Sequence, residues 1–258
     1  MNKKLLFNIG KWLYFGIFIV LELLIYTLYM CQDFGVQIDL DNTLIKYIGI
    51  VSVVVFSFTS TLIIYAKDLL NKDENKYSKR DALVTLFALI FTLIADSFLL
   101  LKNTYYEIGV SFFIITQLLY FFRLIVGTDF NMKRINSSTI TRVSLFLIAV
   151  VSLLILNMFS ILNLVVGFYF INLVMNLVDS IISTIKLRKD KRRFLTGLFF
   201  SIGLLLFIGC DVSLGLSHLL GILSQYIWLF YLPSQVIIVI TSLSLYGLSY
   251  TKEEQYGI

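Results

Sequence analysis

The chain has 258 residues, 59% of them hydrophobic and 16% aromatic, with a single proline. Its mean hydropathy of +0.89 exceeds what a soluble core of this length can bury, so the sequence predicts an all-α, polytopic membrane bundle. The net charge of +5 is spread through loops between apolar runs, which excludes nucleic acid as a partner.

An apolar helix needs about 20 residues to cross the ~30 Å hydrocarbon layer. Eight stretches qualify: 12–31, 45–66, 82–101, 107–125, 142–160, 162–184, 194–217 and 226–247. Their connections are short, so one integral membrane domain is expected over 1–258. The first stretch follows a basic front, MNKK, but has a long apolar body and no small-x-small cleavage site, so it reads as an uncleaved helix. With a cytoplasmic amino terminus, nineteen of the 21 Lys and Arg fall on the inner side, and only Lys46 and Lys102 fall outside. Basic loops stay inside, so both termini are expected in the cytoplasm. The abundance of Lys, Ile, Asn and Tyr suggests an AT-rich bacterial genome, and hence the plasma membrane.

Polar groups interrupt these spans at particular depths. Glu22 lies mid-way along the first, read either as a pocket member or as a packed, protonated acid, and Lys46 stands at the outer end of the second. The third holds Asp96 in FTLIADSFLLL, and the seventh holds Asp211 in LLFIGCDVSLGL. A charge at the centre of a spanning helix costs roughly 2.5–3.5 kcal/mol on insertion scales, so two acids at matching places require a reason. Each lies five residues before the outer end of its span, roughly 8 Å deep at 1.5 Å per residue. Gln117 and Tyr120 follow on the fourth span, Tyr231 and Gln235 on the eighth. The halves 12–125 and 142–247 thus suggest a repeat with a site at its interface.

Helical spacing gathers these groups into stripes: Thr85, Thr92, Asp96 and Asn103; Tyr169, Asn172, Asn176 and Asp179; Trp228, Tyr231, Gln235 and Ser242. Lipid cannot satisfy such stripes, so they are expected to face the bundle interior around a polar chamber opening outward or into the outer leaflet. Asp179, near the inner boundary, is expected to pair with the loop cations Lys186 or Arg188.

Elimination narrows the chemistry. His218 is the only histidine, which removes three-histidine zinc sites and leaves no credible Ser-His-Asp triad. Glycine elbows and phosphate-cradling loops are absent from the sequence. Cys31 and Cys210, one at a helix end and one inside a helix, support neither a disulfide framework nor a thiolate metal site. What remains is acid–base work by paired carboxylates, or proton and ion movement through them. One neutral and one ionised carboxyl suit cleavage of an acid-labile carbon–oxygen bond through an oxocarbenium-like centre, as in glycosidases. The same logic extends to a vinyl ether. A solute or proton-coupled transporter and a non-catalytic lipid-binding protein use the same residues equally well.

At these residues the chain resembles the YhhN family, membrane proteins that include lysoplasmalogenase. LFALIFTLIADSFLLLKNTYYEIGVSFFIITQLLYFFRL matches the family's pattern through Asp96, Leu99, Gly109, Phe113 and Tyr120. GLLLFIGCDVSLGL carries the second aspartate, Asp211, and FYLPSQVII matches through Tyr231 and Gln235. LIKYIG matches through Lys46, and FYFINLVMN through Tyr169 and Met175. The chain departs from the pattern at Ala95 for glycine, Cys210 for serine, Gln117 for histidine and Tyr47 for proline. The resemblance implies hydrolysis of the vinyl-ether bond of a lysophospholipid without metal or cofactor. Asp96 and Asp211 would then be general acid and ionised partner, and Lys46 a phosphate contact. Tyr231 and Gln235 would hold the head group or attacking water, with Gln117, Tyr120 and Tyr169 lining the site.

Overall fold

In the computed structural model the described residues are 3–71, 76–102, 104–127, 132–221 and 224–242. They form eight helices: α1 (Lys3–Asp33), α2 (Asn42–Asn71), α3 (Lys76–Asp96), α4 (Tyr106–Gly127), α5 (Met132–Ile155), α6 (Ile161–Lys186), α7 (Lys191–Leu220) and α8 (Tyr226–Ser242). Seven of them are long and apolar enough to cross a membrane. The eighth is a 17-residue apolar helix as described, and the remainder of the expected span to 247 lies outside the described residues. The chain is therefore a helical, multi-pass membrane bundle.

Helix starts follow local chemistry. Asp41 accepts hydrogen bonds from the amides of Thr43 (2.8 Å) and Leu44 (3.3 Å) at the start of α2, and Ser160 accepts from Asn163 (3.1 Å) at the start of α6. At the end of α7, Gly221 takes φ +67°, a left-handed turn that lets the chain leave the helix.

Consecutive helices pack against one another except α4 and α5, and α4 against α6 and α2 against α8 close the bundle among the described residues. Small residues bring α7 and α8 together: a Cβ on Gly203 would come within 2.7 Å of Ile238 and 3.3 Å of the Ser234 carbonyl. Gly203→Leu is expected to push these helices apart and cost about 1–3 kcal/mol, read as a lowered unfolding midpoint in detergent. The Leu99 side chain likewise fills the space a Cβ on Gly109 would need, so two family-pattern residues are one packing contact between the end of α3 and α4.

Two irregularities set the site. Directly after Asp96 the α3 helix widens into a π-helical segment, Ser97–Lys102, which alters how the helix end meets its neighbours. In α8, Pro233 has no N–H to give the Leu229 carbonyl. The hydroxyl of Tyr26 donates to that carbonyl at 3.4 Å, and Tyr29 donates to the Trp228 carbonyl at 3.1 Å. Such repair is what an apolar surrounding demands of a broken helix.

The fifth span is the main correction to the expected boundaries. The helix runs Met132–Ile155, not 142–160, and residues 156–160 form the turn into α6. Arg142 therefore lies in mid-helix, where it is buried, rather than at a loop. It donates to Asp179 Oδ2 (2.9 Å), to Asn176 Oδ1 (2.9 Å) and to Asn172 Oδ1 (3.0 Å), and stacks over Phe121 at 4.2 Å. Ser138 also donates to Asp179, at 2.6 Å. Asp179 is thus a buried partner of Arg142 and not of Lys186 or Arg188, because α5 lies ten residues further back in the sequence than its apolar run suggests.

Candidate functional site

Asp96, at the last α-helical position of α3, is buried and accepts a hydrogen bond from the Tyr231 hydroxyl of α8 at 2.7 Å. Asp211, in α7, is partly exposed and accepts from the Tyr169 hydroxyl of α6 at 2.6 Å. The rings of both tyrosines belong to one aromatic cluster with Phe113 of α4 and Phe207 of α7. Phe113 lies 5.7 Å from Tyr169, 5.7 Å from Phe207 and 6.5 Å from Tyr231, and Phe207 lies 5.6 Å from Tyr231. Through these shared rings the two acid–tyrosine pairs belong to one neighbourhood. The rings of Phe113 and Phe207 pack between the two tyrosines.

The stripes expected from helical spacing are buried as expected. Tyr169, Asn172, Asn176 and Asp179 all face inward on α6, as do Thr85, Thr92 and Asp96 on α3. Asn103 lies outside the described residues. Glu22 is packed, buried and hydrogen-bonded by Ser52 at the α1–α2 contact.

One turn further along α4 and α8, Gln117 and Gln235 are wholly buried. Asn176 donates to Gln117 Oε1 at 3.0 Å and to the Gln117 carbonyl at 2.8 Å, which fixes the amide's orientation. Gln117 Nε2 and Gln235 Oε1 then remain without a partner among the described residues, one donor and one acceptor. Tyr120, a turn deeper, meets Phe200 edge-on at 5.7 Å and belongs to a different layer from the aspartates. Below it Arg123 grips Asp81 through two hydrogen bonds of 2.7 and 3.0 Å, under the Phe200 ring. That clamp lies toward the end of the bundle remote from Lys46.

Lys46 stands at the other end. Its ammonium pairs with Asp33 at 2.8 Å and lies 5.6 Å from the Trp228 ring and 5.8 Å from the Tyr29 ring. Trp228 in turn meets Tyr231 edge-on at 5.0 Å, so one indole separates Lys46 from the tyrosine that holds Asp96. Tyr47, where the family pattern has proline, shares a 2.8 Å hydrogen bond with Ser97, next to Asp96.

Sequence reasoning missed Asp33 and Phe207 as members of this surround and named Phe113 only as a family-pattern match. Trp228 was visible only as a stripe residue. Aromatic residues are too common in a chain of 23 Phe and 15 Tyr to stand out by type, whereas Asp33, at the C-terminal end of α1, has no local pattern that marks it. Tyr231→Phe and Tyr169→Phe each delete one donor to a carboxylate while leaving the ring packing intact. Each is expected to lower any acid–base activity of the pair about tenfold and to cost about 1–3 kcal/mol of stability for the acceptor left without its donor, measured as initial rate beside a thermal melt.

No curated protein and no solved structure matches the chain. The family model of the YhhN family matches residues 41–242, which takes in both aspartates, both tyrosines, both glutamines and Lys46. With that match covering most of its length, the chain belongs to the YhhN family.

Proposed function

We propose that this protein hydrolyses the vinyl-ether bond of a lysophospholipid in the manner of a lysoplasmalogenase. The observation that carries this reading is the pair of carboxylates, each held by a tyrosine hydroxyl against the same aromatic cluster. One carboxyl, protonated, delivers its proton to the vinyl carbon remote from the ether oxygen, and the adjacent carbon becomes an oxocarbenium ion. The other, ionised, stabilises that cation and orients water toward it. Water adds to give a hemiacetal, whose collapse breaks the carbon–oxygen bond and releases a fatty aldehyde and the glycerophospho-base. The proton lost from water restores the acid, so no cofactor enters the scheme.

The surroundings support a lipid. Lys46 uses one of its three N–H donors on Asp33, leaving two for a phosphate oxygen. Trp228 spans the interval between that ammonium and Tyr231, where a glycerol unit would lie. Gln117 Nε2 and Gln235 Oε1 supply an unused donor and acceptor below the rings, suited to ordering water. A largely buried ion pair, Arg123 with Asp81, stands between helices α3 and α4 at the end remote from Lys46, which favours a site approached from one side over a transport path. In this reading the Lys46 end faces outward in the plasma membrane and both termini face the cytoplasm.

The test incubates purified protein with a 1-alkenyl lysophospholipid and follows aldehyde release. Aldehyde formed in proportion to enzyme is expected; none above background with folded protein overturns the reading.

A further inference from the structure

The two aspartates stand on unlike backbones. Asp211 lies within the unbroken α-helix Lys191–Leu220, whose own hydrogen bonds fix its place. Asp96 is the last α-helical residue of α3, and Ser97–Lys102 continue as the π-helical segment. At such a junction the hydrogen-bonding register changes, so the aim of the flanking side chains depends on contacts from other helices. Three helices supply them. Tyr231 of α8 donates to the Asp96 carboxylate at 2.7 Å. Leu99, within the π-helical segment, packs on Gly109 of α4, where a Cβ would come within 2.6 Å of it. The half-buried Tyr47 of α2 meets the Ser97 hydroxyl at 2.8 Å. Counting protons gives the direction of that last bond. Ser97 donates its one hydroxyl proton to the Leu93 carbonyl at 2.9 Å, so Tyr47 is the donor and Ser97 Oγ the acceptor. Residues 93 and 97 flank Asp96 in the chain, and a serine bonded back to its own helix tends to bend it.

We propose that Tyr47 is a positioning residue for Asp96, holding through Ser97 the backbone from which the carboxylate reaches Tyr231. Tyr231 fixes the far end of the side chain and Tyr47 its root. The hydroxyl of Tyr47 bonds to Ser97 and not to the carboxylate, so it acts on Asp96 only through the α-to-π junction. Its place in catalysis rests on the vinyl-ether reading and deepens it, whereas the setting of the carboxylate can be measured without substrate. Since Asp211 sits in regular helix, loss of the Tyr47 hydroxyl disturbs one acid and spares the other. An acid displaced by a fraction of an ångström still binds its surroundings but delivers its proton less well, so the loss falls on kcat rather than KM.

The test records infrared spectra of the full chain in nanodiscs, made with isotope-labelled aspartate. The Asp96 and Asp211 carboxyl bands are those lost in Asp96→Asn and in Asp211→Asn. Tyr47→Phe removes the hydroxyl and keeps the ring, and is expected to shift the Asp96 band while the Asp211 band stays in place. Ser97→Ala breaks the same bond from the other side and is expected to shift the same band, with the double variant shifting it no further. An Asp96 band unmoved in both single variants overturns the proposal, and so do equal shifts of both aspartate bands, which mark a general loosening. Aldehyde release is followed in parallel. Tyr47→Phe is expected to lower kcat about tenfold at unchanged KM, and to add nothing to the loss in Asp96→Asn. A further loss in that background overturns action through Asp96. Absence of aldehyde from the unaltered protein ends the hydrolase reading alone, because the infrared bands still decide what Tyr47 holds.

Discussion

Asp96→Asn and Asp211→Asn are each expected to lower aldehyde release by about 10²–10⁴-fold, the usual contribution of a positioned acid or base. Asparagine keeps an oxygen for the Tyr231 or Tyr169 hydroxyl and is nearly isosteric, so the aromatic cluster and the fold stay in place. It removes only the ability to give up a proton or carry a negative charge. The measurement is the initial rate of aldehyde formation beside an unfolding curve. Losses in both variants with unchanged midpoints support two chemical roles. An unchanged rate in both variants ends the acid–base assignment, whatever the lipid binds.

Arg142→Leu is expected to destabilise the protein by about 3–5 kcal/mol, the range found when one member of a buried ion pair is removed. Its guanidinium satisfies Asp179, Asn176 and Asn172 at once, and α5 makes its helix contacts with α6. Without Arg142, Asp179 loses its buried guanidinium partner and keeps the Ser138 hydroxyl, and Asn176, which steadies Gln117, loses the donor to its Oδ1. Arg142→Leu combined with Asp179→Leu is expected to recover most of the loss, since apolar side chains replace the pair at little cost. Chemical unfolding in mixed micelles measures both. A single-variant loss below about 1 kcal/mol would show that α5 is held by lipid-like packing alone, for example by Phe146 against Phe168 at 4.9 Å.

The expected stripe on α6 was legible because helical period places 169, 172, 176 and 179 on one face, and lipid permits no alternative to burying it. The Asp179 partner was not legible. Choosing among Arg142, Lys186 and Arg188 depends on where α5 begins, and the apolar run gave no sign that helix extends back to Met132. Tyr231 and Tyr169 were named as site residues, yet which aspartate each serves is a matter of α8 lying by α3 and α6 by α7. The Leu229 carbonyl freed by Pro233 could be foreseen from the proline, but not its capture by Tyr26 two hundred residues away.

The amino-acid sequence by itself determined a multi-pass helical bundle, because hydropathy and length act locally and leave a chain this apolar few other states. It also determined which polar residues had to turn inward, because each lies on a helix whose other sides must meet lipid. Tertiary structure alone decided the company those residues keep: a tyrosine on each carboxylate, four rings between them, and Lys46 beside Asp33. The reason is range. Helical period reaches across a few turns of one segment, whereas hydrogen bonds and ring contacts form over a few ångströms between helices whose relative placement no local pattern records.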